Sequence, residues 1–242
     1  MASDATLTVC PDPTALAETA ANLIVDSATE AVRDRGRFML CLAGGATPRA
    51  TYERLALPAL AERVRWDRTW AFFGDERVVP PDHAESNYRM ALETLLSRVP
   101  IPPSQILRMR GEDADADGAA AAYAATLAEA FGTRRGELPR FDLVLLGLGV
   151  DGHTASLFPG QEALDERNRR VVATTGADGS PRITLTFPAL DAARHVVFLV
   201  TGESKREALD AIRRGEDLPA GRVRPTEGDV IWIVDRAAAG ED

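Results

Sequence analysis

Short apolar runs alternate along the chain with longer segments in which apolar residues recur at helical spacing. The runs are typical of strands buried on both faces of a parallel sheet, and the longer segments are typical of amphipathic helices. Eight runs predict strands: Thr6–Cys10, Phe38–Ala43, Thr69–Gly74, Phe141–Leu148, Arg170–Thr175, Ile183–Phe187, His195–Thr201 and Asp229–Val234. Three segments predict long helices: Pro13–Arg35, Asn87–Val99 and Ala114–Gly132. The alternation predicts an α/β fold, a three-layer αβα arrangement around a Rossmann-like, mainly parallel sheet.

The spacing of these elements predicts one domain over residues 1–242. Loops rich in proline and glycine fall at 79–83, 100–104, 176–181 and 215–228, and none is long enough to be a clear domain linker. The sequence contains no internal repeat. A chain of 242 residues with 45% hydrophobic residues is long enough to bury a substantial core.

Composition and charge argue against several classes of partner. The formal net charge is −9, which opposes binding to nucleic acid. No window approaches the roughly 20 apolar residues that cross a bilayer, and the first residues do not resemble a signal peptide. Cys10 and Cys41 lie in apolar runs, which predicts two buried free thiols in a reducing cytosol. We therefore expect a cytoplasmic protein, a monomer or weak homodimer, without a membrane or nucleic-acid partner.

The segment Leu143–Gly160, LVLLGLGVDGHTASLFPG, joins a buried strand to titratable groups. Gly147, Gly149 and Gly152 allow a sharp turn and the close approach of a ligand. His153 follows the end of the strand, where open α/β sheets bind their ligands. Its imidazole titrates near neutral pH. This order of residues predicts an active site with His153 at its centre.

A second glycine-rich turn, LCLAGGATPRATY, predicts an anion site. Gly44 and Gly45 precede a helix in which Pro48 suits the first turn and Thr47 is the expected N-cap. Unpaired N–H groups and the macrodipole at a helix N-terminus both favour an anion. The alternative is a tight strand-to-helix turn without a ligand, and the Thr-Pro pair favours phosphate binding instead.

Charged residues follow the strand WAFF, at the same sheet edge as the two glycine-rich turns. Arg77 suits bidentate contact with a phosphate. Asp75 is a candidate to orient a catalytic group or substrate hydroxyls. Ser86 and Asn87 either cap the next helix or reach into the cleft, with capping the assignment for Ser86. The alternative for the whole cluster is a solvated loop.

Two more basic residues are candidates for the local positive charge that an anionic substrate needs in this acidic chain. Arg182 opens the run PRIT, and Lys205 follows VTGES in the first turn of a helix. A lysine there is electrostatically unfavourable unless an anion binds at the helix N-terminus. His83 is expected to be exposed and His195 to be structural. No group of His, Cys and carboxylate residues has the spacing of a metal site, so no metal is expected.

Six segments together resemble the 6-phosphogluconolactonases, in the same order and over nearly the whole chain: LAGGATP, FFGDER, ESNYRMA, GLGVDGHTASLFPG, PRITLTFPAL and TGESK. The resemblance implies the α/β fold that these enzymes share with glucosamine-6-phosphate deaminases. It also implies a carboxylic ester hydrolase of the oxidative pentose phosphate pathway. Such an enzyme converts 6-phospho-D-glucono-1,5-lactone to 6-phospho-D-gluconate without a metal or organic cofactor.

The resemblance implies a role for each matching residue. His153 would be the general base that activates water. Asp151 or Asp75 would orient the imidazole or the substrate hydroxyls, a choice that the sequence leaves open. The remaining matches would line the sugar-phosphate pocket or bind the phosphate: Gly44, Gly45, Thr47, Arg77, Asn87, Arg182 and Lys205.

Two other functions are kept as alternatives. The deaminases of this fold carry a glutamate five residues after the active-site histidine, and here Phe158 occupies that position, which favours lactone hydrolysis over isomerisation and deamination. A non-catalytic sugar-phosphate sensor would need a DNA-binding module, for which the chain has no spare segment or basic face.

Overall fold

The described part of the chain forms two sheets, one parallel and one antiparallel. The computed structural model describes residues 5–113, 115–134 and 137–241. Its strands are β1 (Thr6–Cys10), β2 (Phe38–Leu42), β3 (Thr69–Phe73), β4 (Asp75–Arg77), β5 (Leu143–Leu146), β6 (Val171–Thr175), β7 (Pro181–Leu185), β8 (His195–Val200) and β9 (Asp229–Asp235). The large sheet has the order β1-β9-β8-β5-β2-β3, and every neighbouring pair in it is parallel.

Helices surround the large sheet. The α-helices are α1 (Pro13–Arg35), α2 (Ala46–Leu55), α3 (Pro58–Ala61), α4 (Asn87–Ala91), α5 (Ala116–Phe131), α6 (Phe187–Asp191), α7 (Arg206–Arg213), α8 (Pro219–Arg222) and α9 (Arg236–Ala239). Short 3₁₀ segments lie at Trp66–Arg68, Pro103–Gln105, Glu162–Asp165 and Glu203–Lys205. Within the described ranges, none of the helices has the length and apolar character needed to span a bilayer.

The two faces of the large sheet belong to two separate parts of the core. In β2, Phe38, Leu40 and Leu42 pack in the cluster that contains α1 and α2, whereas Met39 and Cys41 pack in the cluster that contains α5. All five side chains are buried. This alternation follows from the period-2 geometry of a strand. With helices over both faces, the predicted three-layer α/β fold is confirmed.

The small sheet stands at the carboxyl end of β3. It has the antiparallel order β4-β7-β6, and the N–H of Leu185 donates to the carbonyl of Gly74 at 2.8 Å. The runs that become β6 and β7 were predicted as strands, but β4 was not. A strand made of Asp75, Glu76 and Arg77 has no apolar pattern by which it can be recognised. Because β4 pairs with β7, these charged residues are held in a sheet rather than in a solvated loop.

Helix α1 has the predicted bounds because both of its ends carry strong capping signals. The carboxylate of Asp12 accepts a hydrogen bond from the N–H of Ala15 at 2.8 Å, and Pro13 occupies the first turn. Gly36 ends the helix with φ 73°, the left-handed conformation that glycine adopts at low cost. Cys10 and Cys41 are buried and free, as predicted.

The second predicted helix, Asn87–Val99, changes character partway along. Helix α4 continues into a π-helical turn over Leu92–Leu96, and the helical backbone ends there. The hydroxyl of Thr94 donates to the carbonyl of Met90 at 2.7 Å. Such back-bonding competes with the backbone ladder and accompanies distorted helices.

The third predicted helix, Ala114–Gly132, corresponds to α5. Its predicted first residue, Ala114, lies outside the described residues. Gly132 is the left-handed cap rather than a helical residue, with φ 65°. The buried stripe along the helix includes Tyr123 and Leu127, as the spacing predicts.

Candidate active site

A cleft opens at the carboxyl edge of the large sheet, between the neighbouring strands β2 and β5. Strand β3 continues the sheet on the β2 side and β8 continues it on the β5 side. Ligands of open α/β sheets bind at such a switch point. The cleft holds a cavity of about 330 Å³, whose lining includes residues 43–48, 74–75, 145–149 and 199–201. The turns that the sequence singled out therefore meet in one place.

The turn after β2 directs the start of α2 towards the cavity. The helix begins at Ala46, and its N-cap is Gly45, with φ 103°. The prediction that Thr47 is the N-cap is therefore wrong. Only glycine takes that backbone conformation at low cost, so the cap falls on Gly45. The Thr47 hydroxyl instead lies 2.7 Å from the hydroxyl of Thr201 on the opposite side of the cleft, so it ties the two turns together.

His153 and Asp151 form a close pair on the turn after β5. The Asp151 Oδ1 atom lies 2.5 Å from His153 Nδ1 and 3.1 Å from the backbone N of His153. An ionised carboxylate only accepts hydrogen bonds, so Nδ1 carries a proton, and in the neutral imidazole Nε2 has the free lone pair. Gly149 is required for this arrangement, because a Cβ there would overlap the imidazole.

The electrostatics of Asp151 favour its ionised form. Partial burial on its own would raise the pKa of this carboxyl, but hydrogen bonds from the His153 ring and backbone outweigh it and lower the pKa below 3.8. The side chain of His153 is 31% exposed and that of Asp151 is 37% exposed, so both groups face the cleft and its solvent. The Asp151 carboxyl is therefore ionised at neutral pH.

Asp75 lines the same cavity but contacts different side chains. Its Oδ2 accepts a hydrogen bond from the Ser156 hydroxyl at 2.7 Å, and its Oδ1 accepts one from the Asn87 amide at 3.0 Å. The residue is 9% exposed. Of the two carboxylates that the sequence left open, Asp151 is the one in contact with His153.

Asn87 reaches into the cleft, while its neighbour Ser86 caps α4. The Ser86 hydroxyl accepts from the N–H of Arg89 at 3.1 Å, as predicted for a cap. The Asn87 side-chain oxygen accepts from Arg77 at 2.8 Å, and its amide nitrogen donates to the carbonyl of Asp75 at 2.9 Å. A Cβ on Gly44 would overlap the Asn87 side chain, which explains the glycine at this point of close approach.

Glu76 is a buried carboxylate that the sequence argument passed over. It accepts hydrogen bonds from the N–H groups of Arg77, Asn87 and Tyr88 at 2.7–2.9 Å and from the Ser86 hydroxyl at 3.0 Å. Burial raises its pKa, although the three N–H groups act in the opposite direction. These contacts fasten β4 to α4 and so fix the positions of Arg77 and Asn87. A lone glutamate in a charged run carries no sequence signal for this role.

The three predicted phosphate ligands do not all face the same cavity. Lys205 and Arg77 line the 330 Å³ cavity. Arg182 lines an adjoining cavity of about 270 Å³, which Arg77 and His153 also border, and its guanidinium lies 3.1 Å from a carboxylate oxygen of Asp178. The Nε atoms of Arg77 and Arg182 are buried without a hydrogen-bond partner among the described residues. Both guanidinium groups border the smaller cavity, and positive charge there suits an anionic ligand.

Ala155 is the strained residue of the site. It has φ 47°, and no other described residue except glycine has a positive φ. The N–H of Leu157 donates to the carbonyl of Thr154 at 2.9 Å, which closes a four-residue turn with Ala155 in its second position. Turns with a positive φ there normally use glycine. The next residue, Ser156, donates to Asp75, and alanine at position 155 gives no sequence signal for the positive φ.

The other histidines lie away from the cleft. His83 is exposed. His195 begins β8 at the opposite edge of the sheet, where its Nδ1 lies 2.7 Å from Asp229 Oδ1. Among the described residues, no group of three or more His, Cys, Asp or Glu side chains has the geometry to hold a metal ion.

The chain is similar to known proteins over nearly its whole length. The chain is 41% identical over 240 residues to the 6-phosphogluconolactonase of a Nostoc species, covering 98% of each chain. It is 40% identical to the 6-phosphogluconolactonase of Rattus norvegicus, covering 96% of this chain and 92% of the relative. The solved 6-phosphogluconolactonase of Trypanosoma cruzi superposes with a TM-score of 0.87 at 35% identity, covering 99% of this chain and 97% of that structure. The model of the glucosamine-6-phosphate isomerase/6-phosphogluconolactonase family matches residues 11–232. The chain belongs to that family.

Proposed function

We propose that this chain is a 6-phosphogluconolactonase, which hydrolyses 6-phospho-D-glucono-1,5-lactone to 6-phospho-D-gluconate in the oxidative pentose phosphate pathway. The observation that carries the proposal is a single cavity with His153 on one wall and the glycine turn at Gly44-Gly45 on another. The imidazole supplies a base with a free Nε2, and the start of α2 supplies N–H groups for an anion. The similarity to named lactonases over nearly the full chain supports the same activity.

His153 acts as the general base. Its Nε2 takes a proton from water as the water oxygen attacks the lactone carbonyl carbon, and the carbonyl becomes a tetrahedral oxyanion. When this intermediate collapses, the bond to the ring oxygen breaks, and that oxygen receives the proton to become a hydroxyl. Asp151 holds Nδ1–H and stabilises the imidazolium that forms between the two steps. One positioned base of this kind contributes about 10²–10⁴-fold to the rate.

The phosphate anchors the substrate at a distance from the reacting carbon. Gly44, Gly45 and Thr47 line its pocket, and Lys205 provides a cation on the same cavity. Three further residues complete the set of proposed ligands: Arg77, Asn87 and Arg182. Binding energy from a remote charged group orients the carbonyl toward the base and water. The step needs neither a metal nor an organic cofactor, because the lactone is an activated ester.

The deaminase alternative is disfavoured by the residue beside the histidine. Phe158 occupies the position where the deaminases of this fold carry a glutamate, and its ring offers no group for proton transfer. The sensor alternative requires a nucleic-acid surface, which a net charge of −9 opposes. We place the enzyme in the cytoplasm as a single-domain monomer or weak homodimer without nucleic-acid or membrane partners, in keeping with its two free buried thiols.

The test is a proton-release assay with freshly prepared 6-phosphogluconolactone. We expect hydrolysis far above the spontaneous rate, unchanged by EDTA, and much slower hydrolysis of the lactone that lacks the phosphate. Glucosamine 6-phosphate supplies the competing arm, with ammonia release as its readout. A purified, folded protein that leaves the spontaneous rate unaltered, or that releases ammonia instead, would overturn the proposal.

A further inference from the structure

The aromatic ring of Phe158 lies against the imidazole of His153. The two ring centroids are 4.3 Å apart and the planes are inclined by 37°. Phe158 is 8% exposed and therefore has little freedom to leave this position. Both rings border the 270 Å³ cavity. One face of the imidazole is thus covered by an apolar ring.

The segment that carries Phe158 is fixed at several points. The Ser156 hydroxyl is bonded to Asp75, and the Ser156 N–H donates to the hydroxyl of Thr184 at 3.2 Å. The side chain of Leu157 is fully buried in the core. Phe158 therefore reaches the imidazole from a rigid support, as a positioning residue requires.

The hydrogen bond to Asp151 does not by itself fix the imidazole. A single contact at Nδ1 holds one ring atom, and the ring retains freedom to tilt about that contact. A planar ring packed on one face restricts this tilt. With Nδ1 bound to Asp151, Nε2 is the ring nitrogen left available to the cleft that His153 lines.

We propose that Phe158 is a positioning residue for His153, holding the imidazole in the plane and tautomer in which Nε2 serves as the base. The proposal rests on the assignment of His153 as the general base of lactone hydrolysis. Phe158 touches neither the water nor the reacting carbon in this proposal, and it acts only through the histidine.

A positioning role and a role as a substrate wall have different kinetic consequences. If Phe158 positions the base, its loss lowers kcat and leaves KM nearly unchanged, because phosphate binding is untouched. If Phe158 only lines the pocket, its loss raises KM. In Phe158→Leu we expect kcat to fall about tenfold to a hundredfold, the size of effect that misplacing a catalytic group produces.

Two further variants complete the kinetic test. Phe158→Tyr keeps the ring and should retain kcat within about threefold of the wild type, since the ring contact is preserved. Phe131→Leu is the matched control, because Phe131 makes a similarly tilted contact with Phe72, at 5.3 Å and 38°, away from the cleft. It should lose stability, measured by thermal unfolding, while its kcat and KM stay near those of the wild type.

A nitrogen-15 spectrum of the imidazoles gives a readout that does not depend on activity. The chain has three histidines, so His153→Ala is enough to assign the signals of His153. Above its titration midpoint, the wild-type imidazole should be protonated at Nδ1 alone, and Phe158→Leu should show a mixture of the two tautomers. A wild type that already shows a mixture would overturn the proposal, whether or not the leucine variant folds.

The outcomes separate this proposal from the proposed function. An inactive wild type whose single tautomer becomes a mixture in Phe158→Leu would refute the lactonase assignment and leave Phe158 as the residue that positions the imidazole. An active wild type whose leucine variant keeps both kcat and the tautomer would overturn the role of Phe158 alone. A rise in KM without a fall in kcat would also overturn it.

Discussion

Two histidine–carboxylate pairs stand at opposite edges of the large sheet, and their geometry is nearly the same. His153 and Asp151 are 2.5 Å apart at the carboxyl edge, and His195 and Asp229 are 2.7 Å apart at the amino edge. In both pairs the contact uses Nδ1, and the two imidazoles are 31% and 32% exposed. The pair itself therefore does not distinguish an active site from a structural contact.

The surroundings of the two pairs differ in every respect that matters for an anionic substrate. His153 faces a cavity with two glycines at a helix start and the cation of Lys205. The groove beside His195 is lined on α1 by the carboxylates of Asp26 and Glu30, and no described lysine or arginine lines it. An anion would be repelled there. A base becomes useful only where the fold also holds the substrate.

The charges at the two edges are also paired differently. At the amino edge, the buried carboxylate of Asp142 is held by Arg35 at 2.8 Å, by Arg194 at 3.4 Å and by the N–H of Met39 at 2.8 Å. At the carboxyl edge, Lys205 has no acidic partner among the described residues. Opposite charges that pair with one another stabilise a fold, whereas an unpaired charge in a cleft indicates a binding site for a ligand of opposite charge.

The largest expected effect comes from removing each histidine in turn. His153→Ala should lower kcat for lactone hydrolysis by about 10²–10⁴-fold, because it removes the residue that we propose as the general base. His195→Ala should leave kcat and KM within about twofold, since surface groups far from a site rarely alter its chemistry. Initial rates of proton release, corrected for spontaneous hydrolysis, measure both.

Circular dichroism and thermal unfolding of both variants serve as the control for folding. If both folded variants lost activity to a similar extent, the surroundings of the two pairs would not explain which histidine the activity requires. Full activity in His153→Ala would exclude His153 as the base.

A smaller effect is expected from the cation side of the cleft. Arg77→Ala should raise KM about tenfold to a hundredfold, while kcat changes less, because a phosphate contact is shared by the ground state and the transition state. Steady-state rates over a range of lactone concentrations measure the two constants. Arg65→Ala is the matched control, because Arg65 pairs with Asp67 on the surface and its side chain is 64% exposed. An unaltered KM with a collapsed kcat would instead place Arg77 in the chemical step.

The sequence predicted which segments meet at the cleft because parallel strands end at a common edge. Gly44, Lys205 and His153 each follow an apolar run, and the pattern alone brings them to that edge. The same pattern does not predict the distances between side chains within the cleft. The choice between Asp151 and Asp75 depended on a backbone that folds back over Gly149, and no periodicity encodes that contact.

The wrong prediction for Thr47 and the unrecognised roles of Glu76 and Ser156 also arise from contacts that the sequence pattern does not encode. Thr47 is a good N-cap by residue type, but a positive φ placed the cap on Gly45. Glu76 and Ser156 resemble ordinary polar loop residues, and their roles depend on partners in other elements. Residue preferences act locally, whereas a buried hydrogen-bond network is set by tertiary packing. The order of the elements could therefore be predicted from the sequence, but the hydrogen-bond network of the site could not.

The smallest expected effect is on stability, and it concerns the carboxylate of Asp151, the partner of His153. The pKa of Asp151 is lower in the folded protein than the ordinary 3.8, so its pairing with His153 stabilises the fold above that pH and is lost as the pH falls through the folded value. Asp151→Asn should therefore unfold more easily than the wild type near neutral pH, by about 0.5 kcal/mol once solvent screening of this half-exposed pair is allowed for. Urea unfolding at a series of pH values measures the gap, which should close as the pH falls from about 5 toward 3. A gap that widens as the pH falls from about 5 toward 3 would mean that the pair at the carboxyl edge does not favour the ionised carboxylate, and the tautomer assigned to His153 would lose its support.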